Sequence, residues 1–147
     1  MSRVQLALRV SDLDGSVAFY TRLFGVEPAK RRPGYANFAV DRPPLKLVLI
    51  EGEPDRPTGL DHLGVEVSST DEVTAATRRL TESGLVTLTE DDTECCYALQ
   101  DKVWVHGPGQ EPWEVYVVKA DADTLSKDGA AAGNACCGVM ACGAPAE

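Results

Sequence analysis

The sequence predicts an α+β fold made of two copies of one unit, each a strand, a helix and three further strands. Three observations carry that expectation. Alternating apolar patterns take turns with helical ones, the pattern that opens the chain returns after residue 60, and the last strands of the two halves, "PLKLVLI" and "PWEVYVV", match in outline. At 147 residues the chain has room for one domain, or for two small halves that share a core.

Taken in order, "RVQLALRV" alternates as a half-buried strand, and "SDLDGS" offers Asp12 or Asp14 as the cap of a helix. The apolar face of that helix carries Val17, Phe19, Tyr20, Leu23 and Phe24, and Gly25 ends it. Strands around residues 36–40 and 45–51 follow, bounded by the Pro-rich turns "RRPG" and "DRPP". This first module spans residues 1–52, and 53–59 read as a linker. The plan then restarts. "HLGVEVSSTDEVTAATRRLTESG" is a strand, a polar cap, a helix with Val73, Ala76 and Leu80 inward, and a stop at Gly84. Strands near 86–89, 97–105 and 113–118 complete a second module over 60–119.

Superimposing the halves puts Gln5 on His62, Leu6 on Leu63, Val10 on Val67 and Ser11 on Ser68, and in the last strands Pro44 on Pro112 and Lys46 on Glu114. The extra residues of the second half are expected in a polar loop, "EDDTE", ahead of Cys95 and Cys96. Residues 120–147 lack periodicity and read as a flexible tail that holds Cys136, Cys137 and Cys142.

A formal charge of -9 argues against nucleic acid and anionic membrane surfaces, because phosphate binding needs a concentrated Lys/Arg face. No apolar run approaches the roughly 18 residues of a spanning helix, and Met1 leads straight into a strand pattern with no basic, apolar leader. The expectation is a cytoplasmic protein. Five cysteines in a reducing compartment point to metal, metalloid or redox chemistry rather than a disulfide framework.

Two halves packed side by side would bring positions 5, 46, 62 and 114 to one cavity. Gln5 can offer an amide oxygen, His62 an imidazole nitrogen and Glu114 a carboxylate; Lys46 cannot coordinate. One imidazole, one carboxylate and a neutral oxygen with open positions form a variant of the two-histidine, one-carboxylate arrangement that holds non-haem Fe(II). His106, ahead of a Gly-Pro pair, reads as a turn residue.

The stretches "RVSDLDGSVAFYTRLFG", "DHLGVEV" and "WEVY" together resemble the vicinal oxygen chelate superfamily over residues 3 to about 119. That resemblance implies a cup-shaped mixed sheet around a divalent metal. The Cys-Cys pair and the Cys-Cys tail are similar to those of the organoarsenical carbon-arsenic lyases, or cadmium-induced proteins, within it. This second likeness implies Fe(II)- and O2-dependent cleavage of methyl or aromatic trivalent organoarsenicals, with metal ligands at Gln5, His62 and Glu114 and arsenic-binding thiols at Cys95 and Cys96. By their place on second-half strands near that site, Tyr97, Lys102, Trp104 and Tyr116 are expected to line the substrate pocket, with core packing an equal reading for Trp104 and Tyr116.

Two adjacent thiolates suit a trivalent organoarsenical, which has two exchangeable positions beside its carbon, but neighbouring strand residues face opposite sides. Both sulfurs can reach one arsenic only if the backbone at Cys95 is irregular. The three tail sulfurs match the number inorganic arsenite takes. Two other readings stay open: thiol-based sequestration of arsenite, cadmium or a drug without turnover, and a metal-dependent lyase or isomerase acting on a thiol conjugate. A cup within one chain and a cup across a swapped homodimer both satisfy the pattern.

Overall fold

The computed structural model describes residues 2–123. Strand β1 (Arg3–Val10), helix α1 (Leu13–Phe24) and strands β2 (Lys30–Arg32), β3 (Tyr35–Val40) and β4 (Leu45–Glu51) form the first module. Strand β5 (Gly59–Glu66), helix α2 (Thr70–Glu82) and strands β6 (Leu88–Cys95), β7 (Ala98–His106) and β8 (Pro112–Asp121) form the second. The expected βαβββ duplication is therefore present. The assignment of Cys136, Cys137 and Cys142 to a flexible tail lies outside the described residues.

All eight strands join one curled mixed sheet in the order β2-β3-β4-β1-β5-β8-β7-β6. Each module has the same parallel pairing, β1 with β4 and β5 with β8, and the modules meet where β1 runs antiparallel to β5. Alternation along the strands then sorts side chains into two layers. Val10, Phe38, Leu47 and Leu49 pack outward against Val17 of α1, and Val103 and Val117 pack outward against Val73 of α2. Ala7, Tyr35, Val48 and Ile50 face inward, together with the cysteine turn.

The helices form where their caps allow. Asp12 accepts from the Gly15 amide, and Gly25 ends α1 in the left-handed region at φ 69°. Ser69 and Glu72 cap α2 reciprocally: the Ser69 hydroxyl accepts from the Glu72 amide, while the Glu72 carboxylate accepts from the Ser68 amide. The buried stripe of α1 is narrower than expected. Val17, Tyr20 and Phe24 pack on the sheet, whereas Phe19 and Leu23 remain more than half exposed.

The "EDDTE" segment corrects the expected loop, because residues 90–94 lie inside strand β6. It is an edge strand, where outward-facing charges are tolerated and discourage further pairing. A register shift between Glu90 and Thr93, with Asp92 at φ 49°, absorbs the acidic run. The Asp92 amide donates to Asp101, and Lys119 donates to both carboxylates. The extra residues thus lengthen a hairpin whose turn is tight. Smaller differences lie at the ends: "RRPG" contributes to β2, β5 begins at Gly59, β7 begins at Ala98, and β8 runs on to Asp121. Among the described residues no helix is long and apolar enough to cross a membrane.

Candidate functional site

Register explains how the expected ligands meet. Gln5 pairs with Gly64 across the β1/β5 junction, and Gly64 pairs with Glu114 across β5/β8, so Gln5 and Glu114 flank a glycine on one rung and share the inner face. His62 lies two residues back along β5, on the same face. Gly64 leaves the space this needs. A Cβ there would stand 3.1 Å from the Gln5 amide nitrogen and 3.1 Å from Glu114 Cγ.

The three side chains converge almost out of solvent. Gln5 Nε2 is 2.9 Å from His62 Nε2 and 2.8 Å from Glu114 Oε1, and His62 Nε2 is 3.2 Å from Glu114 Oε1. Donors about 2.1 Å from an octahedral cation stand about 3.0 Å apart in cis positions, so this triangle has the edge lengths of one coordination face. As drawn, Gln5 turns its nitrogen into the triangle, while its oxygen accepts from the Tyr116 hydroxyl at 2.6 Å. A half-turn of the amide exchanges the two atoms in the same envelope, and the Tyr116 oxygen can accept as well as donate. An imidazole, a carboxylate and an amide oxygen then fit a divalent metal such as iron.

Charge around the triangle is arranged to keep Glu114 ionised. Burial opposes its charge, but the Lys102 ammonium, 2.8 Å from Oε2, and the His62 ring outweigh that and hold its pKa well below the ordinary carboxylate range. Burial likewise opposes a charged His62; the Glu114 carboxylate and the hydrogen bond to Asp61 prevail, and the ring's pKa rises to about 9. Lys102 also lies over the Trp104 and Tyr116 rings, and the Trp104 ring meets His62 edge-on at 5.4 Å. Lys46, which cannot coordinate, reaches toward Glu66 at 3.9 Å, and burial lowers its pKa.

The irregular backbone required of the cysteines is present one residue later than expected. Cys95 closes β6 opposite Ala98, and Cys96 and Tyr97 form the two-residue turn, both with positive φ, 53° and 59°. This is the conformation of a type I′ hairpin turn, in which Asn and Gly are the usual occupants. A cysteine and a tyrosine there are a local cost that points to a use for their side chains. The turn brings Cys95 Sγ to 3.5 Å from Cys96 Sγ. With bonds of about 2.3 Å, as in metal thiolates, that bite corresponds to an angle of about 100° at a bridging atom, close to the pyramidal angle of trivalent arsenic. Cys95 is a thiol whereas Cys96 is disulfide-bonded in this structure, so the pair can hold one atom only after Cys96 is reduced.

Cys96 and all three members of the triangle line one small cavity of about 30 Å³, with Gln100 and Asn37 among its walls. The Gln100 amide nitrogen donates to the Cys95 carbonyl and steadies the turn. Tyr97 and Lys102, expected to line the pocket, are not among the walls of this cavity. The Tyr97 hydroxyl donates to the Pro33 carbonyl, its ring packs on Tyr35, and Lys30 Nζ donates to the Tyr97 carbonyl, so the hairpin tip reaches across to the first module. Asp61, Gly64 and Gln100 were not anticipated. The signal for Gly64 was an isolated glycine inside a strand pattern, which marks a close approach.

Comparison with known proteins shows the family and the fold. The profile of the Glyoxalase/Bleomycin resistance protein/Dioxygenase superfamily matches residues 3–115, and the chain belongs to that superfamily. Within it, the chain groups with the organoarsenical-cleaving and cadmium-induced proteins. It is 68% identical over 137 residues to the trivalent organoarsenical cleaving enzyme of Thermomonospora curvata, covering 93% of this chain and 89% of that protein. It is 62% identical over 125 residues to the cadmium-induced protein CadI of Mycobacterium tuberculosis, covering 85% and 82%. The Mn(II)-bound glyoxalase of Novosphingobium aromaticivorans shares the fold, with a TM-score of 0.58, 20% identity and coverage of 86% of this chain and 44% of that one.

Proposed function

We propose that the protein cleaves the carbon-arsenic bond of trivalent organoarsenicals, with Fe(II) held by Gln5, His62 and Glu114 and O2 as oxidant. The observation that carries this reading is that Cys96, with Cys95 beside it, and a coordination face of three donors open on one buried cavity. The likeness to a trivalent organoarsenical cleaving enzyme names the substrate class.

Iron, when held by Gln5, His62 and Glu114, would supply the centre for O2 chemistry. The chain's own residues do the placing. Reduced Cys95 and Cys96 take the two exchangeable positions of arsenic and leave its carbon free to face the triangle. Lys102 keeps Glu114 anionic, and the Trp104 edge restrains the His62 ring. Gln100 holds the turn, and Tyr97 anchors it to Pro33. For a methyl substrate the balance closes without an external reductant: CH3As(OH)2 and O2 give formaldehyde and As(OH)3. Arsenic stays trivalent, the carbon is oxidised, and both oxygen atoms are reduced.

One chain completes the site, since Gln5 comes from the first module and His62 and Glu114 from the second, and no homodimer is required. The need for reduced thiols suits the cytoplasm. The test is anaerobic reconstitution of reduced protein with Fe(II) and a methylated trivalent arsenical, followed by admission of O2. Arsenite and formaldehyde should appear in equal amounts; arsenite released before O2 enters, or none after it, refutes the reading. A sequestering protein would bind the arsenical and release nothing.

A further inference from the structure

We propose that Asp61, clamped by Arg9, is the positioning residue for the His62 imidazole, an inference that rests on the metal reading above. Consecutive residues of a regular strand face opposite sides, so Asp61 should not touch its neighbour His62. They touch because β5 bulges between them. Ala7 pairs with His62 while Leu8 pairs with Leu60, which leaves Asp61 as the extra residue on β5. Such a bulge gives up ladder pairing and re-aims a side chain.

The re-aimed carboxylate is engaged at both oxygens. Asp61 Oδ2 is 2.7 Å from His62 Nδ1, and Asp61 Oδ1 accepts from Arg9 Nε at 2.8 Å. Asp61 is 6% exposed and His62 1%, so water offers neither an alternative partner. Both ring nitrogens face a carboxylate, Nδ1 toward Asp61 at 2.7 Å and Nε2 toward Glu114 at 3.2 Å; the closer, Arg9-clamped Asp61 holds the last proton on Nδ1 and leaves Nε2 turned into the triangle. Arg9, from the opposite strand, stops the carboxylate from rotating away. Asp61 therefore fixes both the tautomer and the ring plane, the two properties a metal-binding imidazole must have settled before the ion arrives.

The experiment uses Mn(II) alone as probe, because a hard ion avoids the thiols, and follows the free Mn(II) signal by electron paramagnetic resonance. Asp61→Ala should weaken binding by about 10–100-fold. Asp61→Asn, which keeps the shape and one acceptor, should weaken it less; it carries the test if the alanine variant does not fold. A second reading needs no metal. The chain has two histidines, so [15N]histidine protein carrying His106→Gln shows one imidazole. In alkaline solution, with the ring neutral, that ring should be the Nδ1–H tautomer with Asp61 present, and should shift toward Nε2–H, facing Glu114, in the Asp61 variants. Wild-type Mn(II) affinity in both Asp61 variants overturns the inference. So does weakened affinity with an unchanged tautomer, because the carboxylate would then act through charge alone. If His62→Ala also binds Mn(II) as wild type does, the metal reading fails and takes this inference with it.

Discussion

Raising the pH from 7 to 9 should tighten Mn(II) binding by about two orders of magnitude. The metal and a proton compete for His62 Nε2, and in the metal-free protein the ring holds its proton up to a pKa of about 9. Each pH unit below that value weakens binding about tenfold, so two units amount to about 100-fold, and the dependence flattens above 9. Glu114 adds nothing to the slope, since Lys102 and His62 keep it ionised throughout. Mn(II) can be titrated against Trp104 emission, because that ring lies 5.4 Å from His62. A parallel unbuffered titration at pH 7 should release close to one proton per ion bound. Constant affinity between pH 7 and 9, or binding without proton release, would show that His62 Nε2 is not the nitrogen that takes the metal.

The same proton bears on stability. His62 is raised from 6.5 to about 9 on folding, so its contribution is fully present below pH 6.5 and is lost as the pH rises through 9. The metal-free protein should lose about 3 kcal/mol across that window relative to His62→Gln in denaturant unfolding, and parallel curves refute the assignment. Gly64→Ala forces a Cβ to 3.1 Å from Gln5 and Glu114, which at about 1–3 kcal/mol of crowding weakens Mn(II) binding roughly tenfold or more; unchanged affinity would show that the triangle has slack. Lys102→Met leaves Glu114 buried beside one fewer cation and should cost about 3–5 kcal/mol without metal, a loss that Mn(II) partly restores. Cys96→Ser should abolish capture of a methylated trivalent arsenical while leaving Mn(II) affinity intact, and equal loss of both would mean that the turn supports the triangle rather than the arsenic.

The repeat was legible because it rests on strong local signals. Two capped helices, stopped at Gly25 and just ahead of Gly84, and alternation in "RVQLALRV" and "PLKLVLI", fix where the strands lie and which face each residue takes. Aligning the halves then brought Gln5, His62 and Glu114 to one place. Features that depend on departures from regularity were hidden. The β5 bulge that lets Asp61 touch His62 has no marker in "GLDHLG", and alternation predicts the opposite. The acidic "EDDTE" read as a loop because polarity outweighed the pairing available to an edge strand. That an irregular backbone must accompany the cysteine pair followed from geometry, but its form, a two-residue turn at Cys96 and Tyr97, needed coordinates. Phe19 and Leu23 fit a helical stripe wider than the sheet surface beneath it.

The two ends of the strand order carry opposite charge, "KRR" in β2 and "EDDTE" in β6. An edge strand left plain would offer its open backbone to another molecule and invite aggregation. Here two copies meeting β6 to β6 would press like carboxylates together, and two β2 strands would do the same with cations over only three residues. The acidic run beside the thiols therefore also serves as a guard on solubility at the rim of the sheet.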